Sequence, residues 1–299
     1  MDILSIKNLN KRFGDKQVLC GVDLNVPQNS IFGFVGRNGA GKTTTMKAVL
    51  GLLKCDEGEI CVMGEKVLYG QTKTNKHIGY LPDVPEFYSF MNAMEYLELC
   101  GQGLEMKSSE IKERSRELLS LVGLAGEKHR IKGYSRGMKQ RLGIASALLG
   151  SPELLICDEP TSALDPIGRK EILDILVSVK SQTTVLFSTH ILSDVERICT
   201  DVALLDGGKI VMQGTVSELK SKKRREEFAV ELADEKWASI LANSFSLSSI
   251  KDESTVVFEG DDSKMYEVMD YISECKIPIK RIERQETSLE NLFVEVISG

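Results

Sequence analysis

A glycine-rich stretch between an apolar run and a helical pattern constrains most strongly what this chain can fold into. Residues 36–43 read Gly-Arg-Asn-Gly-Ala-Gly-Lys-Thr and match the pattern G-x-x-x-x-G-K-[ST]. The preceding run, residues 31–35, is apolar at both alternations and predicts a strand buried on both faces, while residues 44–53 predict a helix. A strand, a glycine-rich turn and a helix in this order predict a loop whose backbone N–H groups bind phosphate.

The predicted loop supplies a set of candidate nucleotide-binding residues. Its glycines let the backbone bend inward around phosphate oxygens. Lys42 offers a positive charge to the outer phosphates, and the Thr43 hydroxyl is a candidate ligand for Mg²⁺. The full candidate set is Gly36, Arg37, Asn38, Gly39, Ala40, Gly41, Lys42, Thr43 and Thr44.

Two adjacent carboxylates follow a second apolar run, residues 154–157. A hydrolase with such a loop needs a carboxylate at the end of a neighbouring buried strand. We predict that Asp158 holds the metal and that Glu159 is the general base for the attacking water. The alternative is a pair of surface acids after a strand, but an apolar strand that ends in two carboxylates and then Pro160 is typical of a site.

His190 follows a third apolar run, residues 185–187, after a short Ser-Thr step. Ligands of open α/β sheets bind just past the carboxyl ends of core strands. A single histidine in a chain is also often structural. On the residues alone, the two roles of His190 remain equally open.

The alternation of apolar runs with helical patterns predicts an α/β fold, a mainly parallel sheet with helices on both faces. Residues 82–130 depart from this alternation, because they show helical patterns and no convincing strand. Asn92 with Glu95 predicts a helix N-cap, and residues 110–121 are strongly amphipathic. We therefore expect a helical subdomain inserted at about 83–150.

The sequence pattern changes near Glu218, where a basic run extends from Lys220 to Arg225. This run predicts a solvated linker rather than a patch that binds lipid or nucleic acid. Beyond it, strands at 228–232, 255–258 and 279–282 and helices at 235–242, 263–274 and 289–297 predict a small ferredoxin-like α+β domain. The expected domains are 1–219 and 226–299.

Composition excludes several partners. The net charge of −6 makes nucleic acid an unsuitable partner. No apolar stretch reaches the ~18 residues that span a bilayer, and residues 1–12 lack a signal-peptide core. The seven cysteines are widely spread, which indicates a reducing compartment. We expect a cytoplasmic protein, for which another subunit supplies any membrane span.

Residues 134–141, Tyr-Ser-Arg-Gly-Met-Lys-Gln-Arg, resemble the signature motif of the ATP-binding-cassette (ABC) family. Together with the glycine-rich loop, the aspartate strand, Ser162-Ala163-Leu164-Asp165 and Ser188-Thr189-His190, they complete the ordered set of family motifs over about residues 3–217. The resemblance implies a subunit that binds ATP with Mg²⁺ and hydrolyses it.

The resemblance also implies roles for single positions. Phe13 matches the aromatic residue that stacks on adenine, and His190 matches the switch histidine that touches the γ-phosphate. Asp165 matches the loop that crosses a dimer interface. The signature, here Ser135, Arg136, Gly137 and Met138, acts on the ATP of a partner cassette. A homodimer or a heterodimer with a related cassette is therefore implied.

Three features of the chain depart from the commonest family pattern. Arg136 and Met138 occupy the third and fifth places of the signature, where glycine and glutamine are usual, and Asp83 stands where many members carry glutamine. Asp83 is a further candidate ligand for the metal, although its side chain is shorter than that of glutamine. The signature variant and the ending at 287–293 resemble the antibiotic-resistance and lantibiotic-immunity branch, which is bacitracin-type.

The implied function is to power a separate integral membrane permease at the inner face of the cell membrane. The branch resemblance favours export of a drug, peptide antibiotic or lipid-like substrate. The alternative is an ABC ATPase that remodels or regulates without transport. A P-loop GTPase is disfavoured, because Asn75-Lys76-His77-Ile78 lacks the aspartate that reads guanine.

Overall fold

The chain divides into two compact units, Met1–Ser217 and Glu218–Gly299. A computed structural model describes residues 2–71, 73–222, 227–246, 248–285 and 288–298. The predicted linker falls partly outside the described residues, at 223–226, as do Thr287 of the predicted tail motif and the last residue. Among the described residues no helix is long and apolar enough to cross a membrane.

The central sheet of the first unit is mainly parallel, as predicted. Its strand order is β10-β9-β3-β8-β7-β6, and only the edge pair β9 and β10 is antiparallel among these described strands. The strands are β3 (Ile31–Gly36), β6 (Ile78–Leu81), β7 (Leu154–Asp158), β8 (Thr184–Thr189), β9 (Asp201–Asp206) and β10 (Lys209–Thr215). Every residue of β3, β7 and β8 is buried, which explains their uninterrupted apolar sequences.

A second, antiparallel sheet has the order β2-β1-β4-β5. It consists of β1 (Asp2–Phe13), β2 (Lys16–Pro27), β4 (Glu57–Val62) and β5 (Glu65–Lys66). Helix α1 (Lys42–Val49) and one face of the central sheet share a core with it, in which Ile6, Met46 and Phe34 are buried together. Two short strand-like runs in the sequence, at 17–19 and 22–26, together form the single strand β2, and β4 and β5 were not predicted.

Helices cover both faces of the central sheet. Side chains of neighbouring residues point to opposite faces of a strand, so Phe34 packs with α1 and Gly33 faces the other way. On that second face a Cβ at Gly33 would lie 2.9 Å from Val195, in α6 (Leu192–Ile198). Helix α5 (Pro166–Ser178) lies beside α6.

The predicted helical subdomain contains α2 (Ala93–Gly103), α3 (Ser108–Leu121) and α4 (Arg136–Leu148). The predicted N-cap is confirmed, because Asn92 and Glu95 form a reciprocal capping box at the start of α2. The helical pattern expected from residue 82 onward is wrong up to residue 92, where the chain forms neither helix nor strand. Pro82 and Pro85 lie in that segment, and proline restricts the preceding residue away from the helical conformation.

Helix α4 approaches β6 unusually closely. A Cβ at Gly79 would overlap the carbonyl oxygen of Ala147, and a Cβ at Gly143 would overlap a methyl group of Leu81. The absence of side chains at these two glycines therefore sets the distance between the helix and the strand.

The second unit has the predicted ferredoxin-like fold. Its antiparallel sheet has the order β12-β13-β11-β14, with Phe228 and Phe258 stacked 5.1 Å apart in its core. Its elements are β11 (Glu227–Leu232), α8 (Lys236–Asn243), β12 (Ser248–Asp252), β13 (Thr255–Glu259), α9 (Asp262–Glu274), β14 (Ile279–Gln285) and α10 (Leu289–Ser298), and α7 (Val216–Lys222) contains the unit boundary.

Candidate functional site

The glycine-rich loop connects β3 to the first residue of α1. Gly41, the N-cap of α1, has a φ of 114°, which favours glycine, and a Cβ there would lie 2.7 Å from Leu19. A Cβ at Gly36 would lie 2.5 Å from the carbonyl oxygen of Leu205. The first N–H groups of α1 have no partner within the helix, so the loop and helix together present backbone donors to an anion.

Lys42 places its ammonium group inside the loop. Its side chain is only 6% exposed, and Nζ donates to the carbonyl oxygen of Gly36 at 2.6 Å. Nζ also lies 3.0 Å from Oε1 of Glu159. The ammonium therefore links the loop to the carboxylate that directly follows β7.

Asp158 ends β7 and is held by two hydroxyl groups. Thr43 Oγ1 donates to Oδ2 of Asp158 at 2.7 Å, and Ser188 Oγ donates to Oδ1 at 2.6 Å. Asp158 and Ser188 are direct neighbours in the parallel register of β7 and β8. The sequence indicated Ser188 only as part of a motif and did not predict its contact with Asp158. That contact results from the pairing of β7 with β8 rather than from a local pattern.

The oxygen atoms of Thr43 and Asp158 are the hard ligands that Mg²⁺ prefers, and they lie side by side at the loop. Within the described ranges, no group of three or more His, Cys, Asp or Glu side chains could hold a metal ion by itself. This arrangement fits Mg²⁺, which is usually bound by one or two protein ligands together with water and substrate phosphates.

Glu159 adopts a left-handed backbone conformation, with a φ of 48°. This conformation is uncommon for a residue with a side chain, and it turns the chain sharply at the end of β7. Oε2 of Glu159 lies 2.9 Å from Nδ1 of His190, and the side chain of Glu159 is 12% exposed against 43% for His190. A carboxylate and an imidazole are thus paired at the ends of neighbouring strands.

Lys42, Thr43, Glu159 and His190 border a cavity of about 320 Å³, whereas Asp158 is not among its lining residues. The lining residues are Val18, Asn38, Gly39, Gly41, Lys42, Thr43, Thr44, Asp83, Glu159, Ser162 and His190. Val18 was not predicted, because nothing in its local sequence separates it from other apolar strand residues. The lining combines backbone donors with an ammonium, two carboxylates and an imidazole, which is the chemistry of a phosphate site.

Asp83 lies at the cavity and is also tied to α4. Burial raises the pKa of its carboxyl group, and the carboxylates of Asp158 and Glu159 raise it further, while Arg136 lowers it. Nη2 of Arg136 lies 3.5 Å from Oδ1 of Asp83. Nε2 of the buried Gln140 donates to the backbone carbonyl oxygen of Asp83 at 2.7 Å. Two of the departures noted in the sequence, Asp83 and Arg136, are therefore in contact.

The signature residues begin α4 and are not among the residues that line the cavity. Ser135 is the N-cap, and its Oγ accepts a hydrogen bond from the Met138 backbone N–H at 3.2 Å. Asp165 is the N-cap of α5 and accepts from the Gly168 N–H at 3.2 Å. Neither the signature residues nor Asp165 lines the cavity of their own chain.

Phe13, at the end of β1, does not line the cavity either. Its side chain is 49% exposed, and Nζ of Lys11 lies 5.2 Å from the ring centroid. One face of the ring is thus near a cation, and about half of the side chain remains accessible to a planar ligand.

Comparisons with known proteins match both units. A family model described as "ABC transporter" matches residues 19–162. A model described as "ATP-binding protein DrrA1-3-like, C-terminal domain" matches residues 214–297.

Relatives are similar over the whole chain. The uncharacterized ABC transporter ATP-binding protein YxlF of Bacillus subtilis is 39% identical, and the match covers 99% of each chain. The bacitracin transport ATP-binding protein BcrA of Bacillus licheniformis is 35% identical over 99% of this chain and 98% of its own length. The solved structure of CbiO1 from Clostridium perfringens, part of the ABC transporter complex CbiONQ, has a TM-score of 0.68 and 28% identity, and the match covers 74% of this chain and 92% of that chain.

Proposed function

This chain belongs to the ABC transporter family as an ATP-binding subunit, and we propose that it powers a permease that exports a drug, peptide antibiotic or lipid-like substrate. The ATP-binding subunits of this family act with a membrane permease. The proposal of export is supported by the whole-length similarity to a bacitracin transport protein. The observation that carries the catalytic part is the position of Glu159 between Lys42 and His190 in the phosphate cavity.

The cavity residues divide the work of ATP hydrolysis. The loop N–H groups and Lys42 bind the β- and γ-phosphates. Thr43 and Asp158 would hold Mg²⁺, which neutralises the charge that develops on the phosphates during transfer. Glu159 accepts a proton from the attacking water, and His190 hydrogen-bonds to Glu159 and orients it toward the γ-phosphate. Asp83, which lines the same cavity, would be a further contact for the water shell of the metal.

A second cassette completes the site. The chain carries one glycine-rich loop and one signature, and the signature at the start of α4 does not line its own cavity. Ser135, with the N–H groups of α4, offers anion donors to the ATP of a partner. Asp165 would lie at the interface. The partner is a second copy of this chain or a related cassette, and Phe13 would stack on the adenine ring.

The permease would dock on the helical subdomain. Val84, Tyr88 and Phe90 have large apolar side chains that are 63%, 56% and 60% exposed. They lie in the turn segment between β6 and α2, the same segment that brings Asp83 to the cavity. Exposed apolar groups of this kind mark a protein contact. The chain would thereby sit at the inner face of the cell membrane.

Replacement of Glu159 by glutamine tests the catalytic proposal. Glu159→Gln keeps the size of the side chain but cannot accept the proton, so we expect kcat to fall at least about a hundredfold while ATP affinity is kept. ATP should then hold two chains together, which size-exclusion chromatography with light scattering measures. Glu153→Gln, directly before β7, is the matched control. Undiminished hydrolysis by Glu159→Gln would remove Glu159 as the base.

Co-purification tests the transport proposal. A tagged chain extracted in mild detergent should retain a polytopic membrane protein, and Tyr88→Ala with Phe90→Ala should release it without changing ATP affinity. Retention of the partner by this double variant would place the contact elsewhere.

A further inference from the structure

A buried carboxylate outside the phosphate cavity joins the two segments that carry Glu159 and His190. Asp194 lies in α6, four residues after His190, and is 2% exposed. Its Oδ2 accepts a hydrogen bond of 2.8 Å from Oγ1 of Thr161, which lies two residues after Glu159 and is also 2% exposed. The loop after β7 and the helix after β8 are thus tied directly to each other.

The second oxygen of Asp194 is held by an arginine from a third element. Nε of Arg169, in α5, donates to Oδ1 at 2.6 Å, and Nη2 of Arg169 donates to Oγ of Ser193 at 2.9 Å. A buried carboxylate is costly unless it is paired. Arg169 therefore fixes both the charge and the orientation of Asp194, and leaves Oδ2 directed at Thr161.

The loop that Thr161 anchors has an unfavourable backbone. Glu159 and Ala163 have φ values of 48° and 52°, in the left-handed region that residues with a Cβ rarely adopt. Such conformations persist where the surroundings over-determine them. Within the loop, Ser162 N–H donates to the Glu159 carbonyl oxygen at 3.0 Å. Thr161 gives the same loop a side-chain anchor on another element.

We propose that Asp194 is a positioning residue for ATP hydrolysis, which acts through Thr161. Its carboxylate, oriented by Arg169, holds the loop so that Glu159 stays within hydrogen-bond distance of His190. The inference rests on the proposed roles of Glu159 and His190. It adds a second tie between their segments, beside the hydrogen bond of 3.0 Å from the Glu159 N–H to Oγ of Ser188. Release of Thr161 would let Glu159 relax away from the attacking water, while the phosphate-binding loop stays intact.

The same two helices carry a second ion pair that serves as a control. Nη2 of Arg197, in α6, lies 2.9 Å from Oδ1 of Asp174, in α5, and both side chains are largely exposed. This pair touches neither Thr161 nor the loop after β7. Its loss measures what a weaker connection between α5 and α6 does by itself.

The test compares kcat, KM and ATP affinity of full-length variants. Thr161→Val keeps the shape and removes the hydrogen-bond donor, so kcat should fall about tenfold while the Kd for ATP changes less than about twofold. Thr161→Ser restores the hydroxyl and should restore kcat. Asp194→Asn should act in the same direction, and the double variant with Thr161→Val should be no slower than the slower single variant.

Asp174→Asn with Arg197→Met should keep the wild-type kcat. Melting temperatures and the titrated fraction of ATP-binding sites separate a positioning effect from misfolding. Should Asp194→Asn fail to fold, Thr161→Val still decides the question. A wild-type kcat for folded Thr161→Val overturns the proposal, as does an equal loss of kcat in the control pair or a loss of ATP affinity parallel to that of kcat.

Glu159→Gln, measured alongside, separates the two proposals. If Glu159→Gln still hydrolyses ATP at the wild-type rate, the proposed role of Glu159 as the base fails, whatever Thr161 does. If Glu159→Gln is inactive and Thr161→Val is fully active, only the positioning role of Asp194 fails.

Discussion

Lys42 is the residue whose contacts most directly predict nucleotide affinity. Its ammonium is almost fully buried in the loop, and a charged hydrogen bond contributes about 1.5–3 kcal/mol. We expect Lys42→Ala to raise the Kd for ATP by about 10- to 100-fold, measured by isothermal titration calorimetry. Lys47→Ala, on the exposed side of the same helix, is the matched control. An unchanged Kd for Lys42→Ala would contradict the assignment of the loop.

Residues whose neighbours lie close in sequence were the ones that the sequence could predict. Lys42 belongs to a contiguous motif, and Asp158 and Glu159 follow a recognisable buried strand. The contact of Asp83 with Arg136 joins residues 53 positions apart, and that of Thr161 with Asp194 joins residues 33 positions apart. Such contacts depend on how strands and helices pack against each other, and a local sequence pattern does not reveal this packing.

The capping box of α2 predicts a local stability effect at the scale of one element. Asn92 accepts from the Glu95 N–H at 3.0 Å, and Oε2 of Glu95 accepts from the Asn92 N–H at 2.9 Å. Loss of such a cap costs about 1 kcal/mol. Asn92→Ala should therefore speed amide hydrogen exchange in α2 by about fivefold.

The control for this prediction is Lys107→Ala. Lys107 is the N-cap of α3 but makes no side-chain cap bond, so exchange in α3 should not change. Asn92→Asp keeps an acceptor oxygen and should exchange like the wild type. Equal exchange in Asn92→Ala and the wild type would show that tertiary packing alone holds the start of α2.

Strands that are completely buried were all predicted, whereas several partly buried strands were missed. The central strands β3, β7 and β8 have continuous apolar sequences because both of their faces are covered. Strand β10 alternates half-buried and exposed residues at the sheet edge, and most of β12 is exposed. Strand β2 reads as two runs because Gly21, with a φ of 71°, interrupts its pattern without ending it.

At the scale of the whole molecule, the division into two units predicts that each folds without the other. Every residue that lines the phosphate cavity belongs to the first unit, and the second unit has its own core around Phe228 and Phe258. A fragment of residues 1–219 should bind ATP with a Kd within about threefold of that of the full chain. A fragment of residues 227–299 should show its own cooperative melting transition by circular dichroism.

Loss of ATP binding in the 1–219 fragment, with the helical circular dichroism signal retained, would contradict this independence. The comparison also isolates the second unit's contribution to activity. If the fragment binds ATP but hydrolyses it more slowly than the full chain, the second unit acts on turnover and not on the nucleotide site itself.

The close approach of α4 to β6 gives the helix a fixed contact point, about which its N-terminal end would pivot like the end of a lever. Gly143 meets the strand about 10 Å from the start of the helix at Arg136, given a rise of about 1.5 Å per residue. A rotation of about 10° at this fulcrum would swing the free end by roughly 2 Å, close to the margin that separates a hydrogen bond from no contact. A single methyl group at Gly79, which does not line the cavity, would press on the carbonyl oxygen of Ala147 and would therefore change the direction of the start of the helix.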